Sequence, residues 1–182
     1  MPETYLDHLK KALREGWQQF FAALLPDQHQ KLLDILRQVY REEAEDVVLL
    51  TQHAARLRYP QFREQLLRIA EEEQAQVTWL RDKLLALGGD IPELSITPQE
   101  AKNTWEALLI DLEEEKRSLM DLLEAMHLAE QVDPELAEGL RRIREAERQH
   151  REEILEILVK SDPESFLQAP VEEHAREGQP QS

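Results

Sequence analysis

The chain reads as an all-α protein. Its expected core is a four-helix bundle of two antiparallel hairpins, with a long crossover between the second and third helices and an extra amphipathic helix in front. Three observations predict this. Charged residues make up 33% of the chain and there are only 5 glycines in 182 residues. A balance rich in Leu, Glu, Ala, Arg and Gln suits helices, and long runs of Val, Ile, Thr and aromatics that would suit strands are missing. Apolar residues recur at three- and four-residue spacing along several long segments, the period of one helix face. Short breaks containing Pro or Gly separate those segments.

The elements follow in order. Residues 1–26 form an amphipathic segment with Leu6, Leu9, Leu13, Trp17, Phe20, Phe21 and Leu24 on one face, weakened at Gly16 and broken at Pro26-Asp27. Its apolar face must cover something, either the bundle's own flank or a partner subunit, so a homodimer or higher homo-oligomer is expected. The bundle spans 27–161. Its first helix, 27–58, carries Leu32, Leu36, Val39, Val47, Leu50 and Ala54, and Tyr59-Pro60 ends it. The second, 61–87, carries Leu66, Ala70, Val77, Leu80 and Leu84, and Gly88-Gly89 stops it.

Residues 88–96 have no helical pattern. A third helix is then expected from Thr97 as N-cap, with Pro98 at its first position and Glu100 closing a capping box, running to about 131. It carries Leu108, Leu112, Leu119, Leu122 and Met126. Asp133-Pro134 opens the fourth helix, with Leu136, Leu140, Ile143, Ile154 and Ile157, and it fades near Ser161. Residues 162–182 read as a flexible acidic tail, rich in Pro, Glu and Gln. The first-to-second and third-to-fourth connections are too short for anything but hairpins. The connection between them, about nine residues reaching roughly 30 Å when extended, suits a crossover along much of the bundle.

The formal net charge of −16 argues against a general nucleic-acid binder. With no Cys, disulfides, iron–sulfur clusters, thiolate zinc sites and a fused Cys₄ iron centre are excluded. No apolar run reaches the ~20 residues of a membrane span. The first segment lacks the Lys and Arg excess of a surface-bound helix, and the start does not read as a signal peptide. The expectation is a cytoplasmic protein without membrane or nucleic-acid partners. Nucleophile elbows, phosphate loops, CxxC and HExxH are missing.

Each apolar stripe is interrupted at its centre by a glutamate: Glu43, Glu73, Glu115 and Glu147, the last followed by His150. One Glu on a stripe is ordinarily a boundary residue reaching for water, and the runs at 71–73 and 113–115 make a hit there cheap. Four helices agreeing in depth is not cheap. In antiparallel hairpins the midpoints meet, so these carboxylates should share one layer of the core. Ionised and buried they would lose several kcal/mol of hydration each and repel one another. Protonation is one remedy. Divalent cations are another, and carboxylates with imidazole suit iron, manganese or zinc.

Here the chain resembles the rubrerythrin and bacterioferritin branch of the ferritin-like superfamily, over about residues 30–160. The family motif is a Glu on the first and third helices and E-x-x-H on the second and fourth. Residues 69–92, IAEEEQAQVTWLRDKLLALGGDIP, are the closest local match, and EAERQH supplies Glu147 and His150. The resemblance implies a ferritin-like bundle holding two iron ions. Glu73 and Glu147 would bridge them, Glu43 and Glu115 would serve one ion each, and His150 would bind one. Two departures stand out. Gln76 replaces the second-helix His, and Leu50 and Leu122 stand where the family often has Tyr. The implied activity is a ferroxidase or peroxidase-type oxidoreductase, or iron handling, with O₂ or peroxide as small-molecule substrate and an external reductant. The departures leave open a metal-free or degenerate bundle serving as an interaction or structural protein. Of the remaining side chains, His53 and His127 are expected to be packed or interfacial, His8, His29 and His174 solvated, and Trp79 and Trp105 in core or interface.

Overall fold

The computed structural model describes residues 16, 26–95 and 101–161. The expected N-terminal helix (save Gly16 and Pro26), the tail 162–182 and the Thr97–Glu100 capping box lie outside the described residues. Four helices are described: α1 (Pro26–Ala54), α2 (Pro60–Ala86), α3 (Thr104–Val132) and α4 (Pro134–Lys160). At 1.5 Å per residue each is about 40 Å long.

The ends show why each helix begins and stops. α1 is shorter than the expected 27–58. Its last turn tightens, Arg56 and Leu57 donating to the carbonyls of His53 and Ala54 at 3.0 and 3.1 Å. Leu57 is thereby turned into the core, 1% exposed. Tyr59 is extended (φ −90°, ψ 119°) and Pro60 starts α2, the residue before proline being barred from helical geometry. At the other end of α2, Gly88 has φ +80°. Its N–H bonds Leu85 O and that of Gly89 bonds Leu84 O, the paired closure that a left-handed glycine permits.

α3 starts later than expected, because residues 101–103 are not helical. Asn103 is its cap, accepting from the Glu106 N–H at 2.8 Å, while Glu106 Oε2 accepts from the Lys102 N–H at 2.6 Å. Length explains the difference. The nine-residue connection reaches roughly 30 Å and falls short of the helices it must run beside, whereas residues 87–103 reach about 55 Å at about 3.3 Å per residue. α4 begins as expected, with Asp133 accepting from the N–H groups of Glu135 and Leu136 at 2.9 and 3.3 Å.

Contacts between ends define the topology. Arg56, just after α1, donates to the Ala101 carbonyl before α3, and Lys31 early in α1 pairs with Glu124 late in α3. Gln65 early in α2 donates to Glu153 late in α4, and Lys83 late in α2 pairs with Glu135 early in α4. α1 therefore runs antiparallel to both α2 and α3, and the crossover carries the chain the whole length of the bundle.

The apolar core has two parts. Leu32, Leu36, Leu80, Leu84, Leu122, Val132, Leu136 and Leu140 belong to one cluster. Leu50, Leu57, Leu66, Ile69, Leu108, Ile154 and Ile157 belong to the other. Each such side chain contributes roughly 2 kcal/mol by leaving water. Between the two parts lies a polar layer.

Candidate metal centre

All four interrupting glutamates point inward: Glu43 and Glu73 are 1% exposed, Glu147 4% and Glu115 5%. They come from the middle of each helix, where the leucine stripe would otherwise continue. One donor atom from each of Glu73, Glu115, Glu147 and His150 lies within 4.8 Å of the other three. Glu43 stands beside this group, close enough for the charges of Glu147 and Glu73 to act on it. Gln76 is half-buried on α2, but its amide oxygen is buried and has no hydrogen-bond partner. The structure thus brings together five of the six expected residues in the layer and sets Gln76 at its edge.

The electrostatics are those of uncompensated acid. Burial first, then the charges of Glu147 and Glu73, raise the Glu43 carboxyl well above its ordinary range. Burial and the Glu147 charge raise Glu73 and Glu115 likewise. Taking a carboxylate out of water penalises its charged form, and a like charge nearby adds to that. Both carboxylate oxygens of Glu43 and of Glu73 lack a hydrogen-bond partner, as do Glu115 Oε2, Glu147 Oε1 and His150 Nδ1. Buried polar atoms are almost always satisfied, so a set of orphaned donors converging on one point is what a cation site presents. The residues fit two divalent ions held by carboxylate oxygens and one imidazole.

His150 is oriented by a residue that the sequence alone did not single out. Its Nε2 donates to Glu72 Oε2 at 2.9 Å, and that bond lowers the Glu72 carboxyl below its usual range. On the other side of the ring, Nδ1 lies 2.5 Å from Glu73 Oε1. Two further acids flank the layer. Asp46, 8% exposed, is pushed up by burial and by Glu147, Glu114 and Asp111. Asp111 Oδ1 lies 2.7 Å from His53 Nδ1, both side chains buried. A signal for these existed: Asp46 follows Glu43 by one turn and Asp111 precedes Glu115 by one turn.

The other histidines and tryptophans divide. His53 is packed, as expected. His127 is exposed, so it is not packed within this chain. His29, expected to be solvated, is half-buried, with Nε2 3.2 Å from the Leu87 carbonyl, because it closes the α1–α2 end of the bundle. Trp105, in the first turn of α3, is 37% exposed and so is not in this chain's core. Trp79 is half-buried and occupies the space left by Gly139, where an added Cβ would lie 2.0 Å from Trp79 Cζ2. Leu50 and Leu122 are fully packed, one in each apolar cluster.

Two openings flank α4, and the second of them reaches the layer. A cleft of about 390 Å³ between α2 and α4 is lined by Gln76, Trp79, Gly139 and Ala146, among others. A cavity of about 340 Å³ on the α3–α4 side has Glu115 and Glu147 among its lining residues. Among the described residues, no helix is long and apolar enough to cross a membrane.

No family model and no curated protein matches the chain. Solved structures do match. One is described as ferritin-like, diiron-carboxylate proteins from Bacillus anthracis str. Ames, with a TM-score of 0.64 at 20% identity, covering 72% of this chain and 97% of that one. Another, a protein from Xanthomonas campestris pv. campestris str. ATCC 33913, has a TM-score of 0.66 at 19% identity, covering 73% of this chain and 91% of that one. Together with the end-to-end crossover and the two antiparallel hairpins, these matches show that the chain has the ferritin-like four-helix fold.

Proposed function

We propose that this chain is a ferritin-like di-metal carboxylate protein. It holds two iron ions, or manganese or zinc, and works as a ferroxidase or peroxidase-type oxidoreductase or in iron handling. The observation that carries the reading is the convergence of Glu73, Glu115, Glu147 and His150 within 4.8 Å in the buried layer. Glu43 completes the set on α1, and the Gln76 amide oxygen stands in for the imidazole of the related motif. A pair of iron ions, when bound, supplies the electrons that reduce O₂ or peroxide.

The chain's own residues do the rest. Glu43, Glu73, Glu115 and Glu147 offer four negative charges against the ions' positive ones. Glu72 holds the proton on His150 Nε2 and leaves Nδ1 free to donate its lone pair. The apolar clusters on both sides keep bulk water from the layer. The cavity lined by Glu115 and Glu147 offers a small molecule a route in.

The test is metal content and its effect on unfolding. About two metals per chain should be retained, and free metal at about 100 times Kd should add about 2.7 kcal/mol of stability. A Glu147→Ala variant should lose both. A chain that takes up no metal after anaerobic Fe(II) addition, with unchanged melting, would instead favour the second reading: a bundle that keeps the fold for interaction. Gln76 in place of His is the residue that favours that reading.

A further inference from the structure

The end of the α3–α4 hairpin furthest from its turn carries an apolar surface that no described residue covers. Val159 is 77% exposed, Leu155 49% and Trp105 37%, and Leu112 and Leu158 beside them are half-buried. These side chains share one groove. Residues 105, 112 and 119 recur at seven-residue spacing along α3, and 148, 155 and 159 at seven and four along α4, so each set forms one row on its helix. Leu119 and Arg148 line the same cavity, which turns the two rows toward each other. Only Asp133 separates the helices, so they run antiparallel, and Trp105 lies level with the last turn of α4, where Val159 sits.

The chain leaves the bundle at this same end, after Ser161. Residues 162–182 carry Phe166, Leu167 and Val171 among polar side chains, and five acidic residues against one Arg. Asp162-Pro163-Glu164-Ser165 has the composition of a reversing turn, with Asp first and Pro second. Leu155 is about 9 Å back along α4 from Ser161, and the five residues to Phe166 reach roughly 16 Å. Arg151, one turn before Leu155, makes no hydrogen bond or ion pair among the described residues. Glu172 and Glu173 lie roughly 16 Å of extended chain beyond Leu167, enough to reach it.

We propose that residues 162–173 fold back along α4 and dock Phe166 and Leu167 on the Trp105–Leu155–Val159 surface, with Glu172 and Glu173 beside Arg151. Size selects this occupant. A patch of three exposed side chains is far below the ~1,600 Å² that a stable interface between separate molecules buries. A tethered segment needs much less, because a short linker holds it at an effective concentration on the order of millimolar. The inference is independent of the metal reading.

The experiment uses the full chain without added metal. Chymotrypsin cuts after Phe166 and Leu167, and its rate there follows the fraction of molecules with the segment released, so a Leu155→Ser/Val159→Ser variant should be cut about tenfold faster with helix content unchanged. Equal rates in the two proteins overturn the proposal. The chain has no Cys, which allows a second measurement by cross-linking. Leu155→Cys/Leu167→Cys should oxidise to an intramolecular disulfide about tenfold faster than Leu67→Cys/Leu167→Cys, following the local effective concentration. Leu67 is another exposed leucine, 37% accessible, at the same end of the bundle, where Gln65 meets Glu153. Equal cross-linking at the two positions also overturns the proposal. Protection from chymotrypsin that disappears on dilution assigns the surface to a second copy of the chain and overturns it too.

Discussion

His150 Nδ1 and Glu73 Oε1 face each other at 2.5 Å without the alignment of a hydrogen bond, and either a proton, which the burial of Glu73 favours, or a cation can hold the two together. Glu72 fixes the ring by accepting a hydrogen bond from Nε2. Replacing Glu72 with Ala should therefore lower metal affinity by about tenfold while helix content stays the same, as read by chelator competition and circular dichroism. Gln76→His should act in the opposite direction and tighten one metal by about tenfold, imidazole being a better donor than an amide oxygen; equal affinity would show that α2 is wrongly aligned with the motif. The interior glutamates were legible because each breaks a leucine stripe. Glu72 was not, because it sits inside a run of three glutamates, and only the position of α4 shows which of them meets His150.

The boundaries of the helices were legible where a single capping signal stood alone. Asp133-Pro134 is such a case, and Asp133→Ala should cost about 1 kcal/mol in chemical denaturation without affecting metal content. At α3 two signals compete, Thr97–Glu100 and Asn103–Glu106, and a local reading cannot choose between them. The span that the crossover must cover decides it. Contact between helices was hidden in the sequence for a similar reason. Gly139 looks like a weak point in α4, yet the Trp79 ring lies where its Cβ would be. Gly139→Ala should cost about 1–3 kcal/mol through overpacking, and a smaller residue in place of Trp79 should recover much of that loss in the double variant.

Across the whole molecule, pH should act on the metal-free protein in an unusual direction. Glu43, Glu73, Glu115 and Asp46 all have raised values in the fold. The folded chain therefore keeps protons that the unfolded chain releases near the ordinary glutamate value of 4.5. That stability is complete below this value and is lost as pH rises through the raised ones, by about 1.4 kcal/mol per pH unit for each proton of difference. The melting midpoint without metal should fall between about pH 5 and about pH 8. Added metal should reverse the fall and release protons into weak buffer. A metal-free midpoint that rises across this range would mean that the carboxylates are ionised at little cost. The bundle and its crossover were legible from apolar period and break spacing; the flanking pair His53–Asp111 was not, because it joins α1 to α3 across residues 58 apart in sequence.

Dividing the core into two apolar clusters has a consequence for how the bundle breathes. In an ordinary helical bundle the amides at mid-helix are the last to exchange with deuterium, since opening them requires global unfolding. Here the mid-helix amides around Glu43, Glu73, Glu115 and Glu147 lie at a partition between two oily halves. In the apoprotein they should exchange sooner than amides on either side, and a bound cation should make the seam the slowest part of the molecule.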